Sequence, residues 1–212
     1  MLVATWMTAD PVTVTPHARL KEAEDLMTKH EFRHLPVVDQ GKLVGILTMN
    51  DVRKASPSPA TTLSRGEVNY LLDQIVVSDV MTRDPITVGA DTPVEDAALL
   101  AYRHKIGALP VVQEGRLVGI ITQSDLFDIM MSIFQAGEGN RRISIEGMPR
   151  ELGSFRKVVD ILDEYRTPFS SILVFPQRDS GLYTYFVRVP DRQLPEIIEA
   201  LKVAGMPATH VS

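Results

Sequence analysis

Residues 7–51 of this chain are written a second time at 81–125. The offset is 74 throughout, without a gap, and 20 of the 45 paired positions are identical. Most of the others keep their polarity. A block that recurs in this way is a supersecondary unit that packs on its twin rather than standing alone. The two copies are therefore expected to lie about a pseudo-twofold axis, with any ligand cleft near that axis.

Each copy reads β-α-β-β-α. An extended segment comes first (Val12 to Val14, Ile86 to Val88), after an Asp-Pro that disfavours helix. The apolar stripes Leu20, Ala23, Leu26, Met27 and Val94, Ala97, Leu100, Ala101 then predict an amphipathic helix. LPVV (35–38 and 109–112) and LVGIL or LVGII (43–47 and 117–121) form a hairpin, turned at Gly41 and Gly115. A Thr-x-x-Asp opens the second helix. These patterns place repeat one at 1–55 and repeat two at 77–134. Between them, 56–76 holds a Pro/Ser/Thr-rich loop and a short helix, with Ser64 and Glu67 at capping-box spacing.

After Phe134 the texture changes. QAGEGN (135–140) is a linker by composition. Residues 141–212 read βαββαβ, the split βαβ of ferredoxin-like domains. Strands are expected at 142–147, 170–175, 182–189 and 207–211. One helix spans 151–165, with Leu152, Phe155, Val158, Val159 and Leu162 on one face. The other is capped by Asp191 and ended by Gly205. The expected class is α/β (α+β): two packed repeats plus this third unit.

Bulk properties exclude several functions. No run of about 18 apolar residues predicts a membrane helix, and the first residues lack the basic and apolar regions of a signal peptide. The net charge of -5 does not suggest a nucleic-acid binder. The absence of cysteine rules out thiol chemistry and fits a cytoplasmic setting. Charge is uneven, however: residues 74–140 carry 4 basic and 9 acidic side chains, whereas 1–73 carry 8 and 9. No G-x-S-x-G, P-loop or H-E-x-x-H motif occurs, so the chain is not read as an enzyme. His30 and His34 are four apart, but no third ligand joins them; His30 is read as a helix end, and no metal site is expected.

The sharpest motif is Gly-x-x-Thr-x-x-Asp, at Gly45, Thr48, Asp51 and at Gly119, Thr122, Asp125. The glycines would let a ligand approach the backbone. The threonines present a hydroxyl beside free N–H groups at a helix start, which suits an anion. The aspartates can accept from both hydroxyls of a ribose. The same pattern is also a capping box that does nothing but start a helix. Both readings stand.

The repeated unit resembles the CBS domain, and the tandem resembles a CBS pair, or Bateman module. MTADPVTV and MTRDPITV, FRHLPVV and IGALPVV, KLVGILTMND and RLVGIITQSD carry the resemblance. It implies a regulatory sensor for adenosine-containing ligands (AMP, ADP or ATP, sometimes S-adenosylmethionine) and no catalytic cofactor. It also implies that Thr48 with Asp51, and Thr122 with Asp125, contact phosphate and ribose. Basic residues just before the LPVV strand contact phosphate in that family. Here they are Arg33 and His34 in copy one but Gly107 and Ala108 in copy two. The copy-one pocket is therefore expected to hold a phosphorylated nucleotide, and the copy-two pocket to be empty or to take a less charged adenosine moiety.

The stretch RRISIEGMPRELGSFRKVVDIL resembles an ACT domain, which implies a ligand loop at Leu152, Gly153 and Ser154; the acidic residue and Pro-Gly usual there are absent or displaced. The whole arrangement resembles the AcuB-like proteins of acetoin utilisation. Together the resemblances imply a cytoplasmic homodimer that senses adenine nucleotide and signals to a partner enzyme or to its own ACT-like unit. The alternatives are a ligand-free dimerising scaffold and a sensor of another adenosyl ligand.

Overall fold

The computed structural model of the protein describes residues 1–56, 64–134, 139–206 and 208–212. Most of the Pro/Ser/Thr-rich loop expected before Ser64 and most of the linker expected at 135–140 lie outside the described residues. The chain divides into two compact units, Met1–Phe127 and Asp128–Ser212.

In the first unit α1 (Val3–Trp6) and β1 (Thr8–Ala9) precede the first repeat's α2 (Leu20–Lys29), β2 (His34–Asp39), β3 (Lys42–Thr48) and α3 (Met49–Ala55). Then come α4 (Arg65–Leu72), α5 (Val77–Val80) and β4 (Thr82–Arg83), followed by α6 (Val94–His104), β5 (Ala108–Gln113), β6 (Arg116–Thr122) and the start of α7 (Gln123–Phe134), which runs on past Phe127. The helices form where the apolar spacing predicts them: Leu20, Ala23 and Met27 are fully buried on α2, and Val94, Ala97 and Ala101 are buried on α6. The hairpins turn at Gln40-Gly41 and Glu114-Gly115, where all four φ values are positive, as a two-residue I′ turn requires. Both hairpins shift register at the same place, Val37/Val38 and Val111/Val112. The Ser64–Glu67 box at the start of α4 forms, with the Glu67 carboxylate accepting from the Ser64 N–H and hydroxyl at 2.7 Å each.

Two features depart from the repeat as written. The extended segments expected to open each copy are reduced to single parallel bridges, Val14 to Val37 and Val88 to Val111. One residue satisfies the whole connection: the Val14 N–H donates to the Pro36 carbonyl at 3.1 Å, and the Val14 carbonyl accepts from Val38 N–H at 2.9 Å. The second departure is an exchange of edges. The two three-stranded sheets run β2-β3-β4 and β1-β6-β5. Thus the Met-Thr segment that opens each copy pairs with the sheet of the other copy: Thr82 faces Ile46, and Thr8 faces Ile120. Val77 and Met81 are buried in the first repeat's core beside Leu20, Leu35, Leu47 and Val52. Burying such side chains contributes roughly 1.5–3 kcal/mol each, so the exchanged segments hold the copies together as well as completing each sheet.

The second unit contains β7 (Asn140–Met148), α8 (Leu152–Glu164), β8 (Ser171–Pro176), β9 (Tyr183–Pro190), α9 (Leu194–Val203) and β10 (His210–Val211). The sheet order β10-β7-β9-β8, antiparallel throughout, is the split βαβ arrangement. Its core joins Ile143, Ile145, Val187 and Val189 of the sheet to Val158 and Leu162 of α8 and Ile197 and Leu201 of α9. Two expectations are corrected. The inner face of α8 is Ser154, Val158, Ile161 and Leu162, while Leu152 is 88% exposed. Asp191 does not cap α9: it opens a 3-10 turn, Asp191–Gln193, and its carboxylate lies 3.3 Å from Arg141 Nε. Pro195, within the first turn of α9, sits where a missing N–H costs nothing.

Candidate functional site

Each Thr-x-x-Asp lies where the hairpin's second strand turns into a helix. Thr48 is the last residue of β3 and the N-cap of α3. Its hydroxyl accepts from Asp51 N–H at 3.2 Å, and one carboxylate oxygen, Asp51 Oδ2, accepts from the Thr48 N–H at 2.9 Å and from its hydroxyl at 2.7 Å. Thr122 and Asp125 repeat this with 3.4, 2.7 and 2.8 Å. The capping reading is therefore realised in both copies. It does not exhaust the aspartates: among the described residues nothing hydrogen-bonds Oδ1 of either.

The helix starts are less open than the motif suggests. Met49 N–H donates to the Arg33 carbonyl at 2.9 Å, and Gln123 N–H to the Gly107 carbonyl at 3.0 Å. With Asp51 and Asp125 N–H groups also taken by the threonines, two of the first three donors of each helix are occupied. The glycines also receive a different physical reason. A Cβ on Gly45 would lie 2.5 Å from Met81 Sδ and 3.0 Å from the Thr82 carbonyl. On Gly119 it would strike Met7 Sδ and lie 3.1 Å from the Thr8 carbonyl. The space beside each glycine is filled by the exchanged edge strand.

Two clefts flank the pseudo-twofold axis. The one at Thr48 has a volume of about 670 Å³ and is walled by Thr48, Asn50, Arg53, Thr82 and Asp84, with Lys105 to Ala108 opposite. The one at Thr122 has about 440 Å³ and is walled by Thr8, Thr122, Gln123 and Ser124, with Glu31 to His34 opposite. Each cleft thus combines the Thr-x-x-Asp helix start of one copy with the pre-strand loop of the other. Neither aspartate lines its cleft; each stands behind its threonine.

A family model, that of the CBS domain, matches residues 3–58 and 77–132. The chain belongs to the CBS-domain family. The first unit is accordingly a CBS pair, and the matched stretches begin at α1 and α5, the segments just ahead of the exchanged edges. A CBS domain-containing protein of Bacillus subtilis, YhcV, is 35% identical over 138 residues, covering 65% of this chain and 91% of that protein. An inosine-5'-monophosphate dehydrogenase of Korarchaeum cryptofilum is 39% identical over 119 residues, which span 56% of this chain but 22% of that enzyme. Among solved structures, a Vibrio cholerae protein assigned to acetoin utilization (AcuB) shares 32% identity at a TM-score of 0.54, over 64% of this chain and 93% of that one. A CBS-pair protein of Arabidopsis thaliana, CBSX2, was solved in complex with AMP; it shares 29% identity at a TM-score of 0.52, over 63% and 98% of the two chains. Another CBS pair, 32% identical at a TM-score of 0.51 over 61% of this chain and 95% of that one, was solved with 5'-methylthioadenosine and S-adenosyl-L-methionine.

The two clefts of the CBS pair differ in charge. Arg33 and His34 line both of them, rather than serving copy one alone. The Thr48 cleft adds Arg53 and Lys105, against Asp84. At the equivalent of Lys105 the Thr122 cleft has Glu31, and the equivalent of Arg53 is the exposed Phe127. Arg53 and Lys105 lie outside the Gly-x-x-Thr-x-x-Asp motif. Their signal is a difference between copies, two residues after the aspartate and four before the leucine of LPVV. His34 is half-buried; burial first, then the adjacent Arg33 guanidinium, lowers its pKa from the ordinary 6.5, and the Asp51 carboxylate opposes this weakly. His30 is the C-cap of α2, its ring stacked on Phe32 at 5.2 Å.

In the second unit a shallow cleft of about 350 Å³ is lined by Arg150, Glu151, Leu152, Phe155, Val174, Tyr183 and Tyr185. Of the expected loop residues only Leu152 lines it. Gly153 is exposed, and Ser154 is buried with its hydroxyl 3.3 Å from Glu151 Oε1.

Proposed function

We propose that this chain is a regulatory sensor in which the Thr48 cleft of the CBS pair takes the phosphate end of an adenine nucleotide. The observation that carries this is the convergence of Arg53, Lys105 and Arg33 on one cleft, whereas its twin has Glu31 in place of Lys105 and is not lined by Phe127, the repeat equivalent of Arg53. Three cations outweigh Asp84 and favour a phosphate dianion. Asp51, which does not line the cleft, holds Thr48 in place there through Oδ2. The Thr122 cleft, smaller and faced by Glu31, suits an uncharged or cationic adenosyl ligand. The relatives solved with AMP, and with 5'-methylthioadenosine and S-adenosyl-L-methionine, support an adenosine-containing ligand in the pair.

Ligand acts as a signal only by binding one arrangement of the pair more tightly than another. In this reading the 141–212 unit or a partner enzyme receives that signal, and the pair dimerises through α6, where Leu99 and Tyr102 are 45% and 80% exposed. Calorimetric titration with AMP, ATP, adenosine and S-adenosylmethionine tests it. Arg53→Ala and Lys105→Ala are each expected to weaken AMP by about 10- to 150-fold, the roughly 1.5–3 kcal/mol of a hydrogen bond to a charged group, and to leave adenosine unchanged. Absence of heat and of thermal stabilisation with every one of these ligands would favour the ligand-free scaffold instead.

A further inference from the structure

The two clefts are not independent in their cations. Arg33, His34 and Gly107 line both, and the equivalents of Arg33 and His34 in the second copy, Gly107 and Ala108, are uncharged. The reason is steric. The His34 imidazole occupies the space over Gly107, where a Cβ would lie 2.7 Å from Nε2 and 2.9 Å from Cε1. A second basic side chain at 107 has no room while His34 stands there. His34 itself supplies no permanent charge at neutral pH, since its burial favours the neutral ring.

Arg33 is the permanent cation common to the clefts. Its carbonyl is tied to Met49 N–H at 2.9 Å, yet its side chain is exposed and makes no hydrogen bond or ion pair among the described residues. A guanidinium on a fixed stem is thus available to either cleft, but to one at a time. The Thr48 cleft keeps Arg53 and Lys105 when Arg33 is turned away. The Thr122 cleft then keeps Glu31 as its one charged residue among those described.

We propose that Arg33 is a shared anion ligand that couples the clefts negatively, so that a phosphorylated occupant of the Thr48 cleft weakens phosphate binding at Thr122. This rests on the nucleotide reading above. The coupling is reciprocal, as linkage requires, and it vanishes for an uncharged ligand, which has no use for the guanidinium.

Titration of the full chain with AMP tests it, using Asn50→Trp to fill the Thr48 cleft and Ser124→Trp to fill the other. Both positions are exposed; Asn50→Phe and Ser124→Phe replace them if either tryptophan variant fails to fold. With the Thr48 cleft blocked, the Thr122 cleft is expected to bind AMP at least about tenfold more tightly than it does in the wild type with the Thr48 cleft full, a typical coupling. That ratio is expected to fall below about twofold when Arg33→Ala is added to both proteins, and when adenosine replaces AMP. A ratio that survives Arg33→Ala reflects direct repulsion between ligands and overturns the sharing, as does equal, independent filling of both clefts in the wild type. Either of those results leaves the nucleotide reading intact. If AMP binds neither the wild type nor the blocked variants, that reading falls and the coupling falls with it.

Discussion

Gly45→Ala separates two reasons for a glycine in the motif. Gly45 has no positive φ, so alanine is allowed there and would stabilise by about 0.4–1 kcal/mol through the unfolded chain. Against this, its Cβ would stand 2.5 Å from Met81 Sδ and 3.0 Å from the Thr82 carbonyl. The methionine is flexible but only 9% exposed in a filled core, and the carbonyl belongs to the β4 edge paired at Ile46. Overpacking of this kind costs about 1–3 kcal/mol. The net expectation is a loss of roughly 0.5–2 kcal/mol, read as a lowered midpoint in urea with an unchanged slope. Met81→Ala alone is expected to cost about 2–5 kcal/mol, and the double variant less than the sum, because the new methyl enters the space vacated by the sulfur. Gly119→Ala should behave alike, since Met7 and the Thr8 carbonyl at 3.1 Å crowd it in the same way. An alanine variant as stable as the wild type but with AMP affinity reduced tenfold would refute the packing argument and restore ligand approach as the glycine's purpose.

Three further outcomes follow from the same structure. Because the folded state holds His34 below 6.5, the unfolded chain takes up that proton first; the contribution of this group is whole above about pH 7.5 and is lost as pH falls through 6.5 toward the lowered value. Urea midpoints measured from pH 8 to 5 should therefore decline less steeply in His34→Gln than in the wild type, and parallel curves would contradict the burial argument. Thr122→Ala removes the acceptor for Asp125 N–H and should cost about 1 kcal/mol, measured by urea unfolding; no loss would mean that water replaces the cap. Ile143→Ala, at a fully buried position of β7, should cost about 2–5 kcal/mol and speed amide exchange in β7 and β9, and unaltered exchange there would contradict the assigned core.

The amphipathic helices, the hairpins and the βαββαβ order were legible because each is written in short-range patterns. Period 3.6 placed Leu20, Ala23 and Met27 inside, and Gly41 and Gly115 marked turns that need positive φ. The errors fall where a residue's partner is distant in sequence. Leu152 shares its apolarity with Phe155 and Val158, yet as the first residue of α8 it is left exposed, and Ser154 takes the inner place. The opening valines are apolar and follow Asp-Pro, which predicts strands; the structure pairs one residue of each.

The duplication, the CBS-pair resemblance and the placement of Thr48, Asp51, Thr122 and Asp125 at helix starts were determined by the sequence alone, since identity at a constant offset and capping chemistry are local properties. Which loop faces which helix start was decided only by the tertiary structure. The exchange of β1 and β4 between sheets accompanies the placing of residues 31–34 by Thr122 and 105–108 by Thr48, and the His34 imidazole fills the space over Gly107. Sharing of Arg33 follows from that crowding, because a side chain at 107, the repeat equivalent of Arg33, would enter the volume that the His34 imidazole holds.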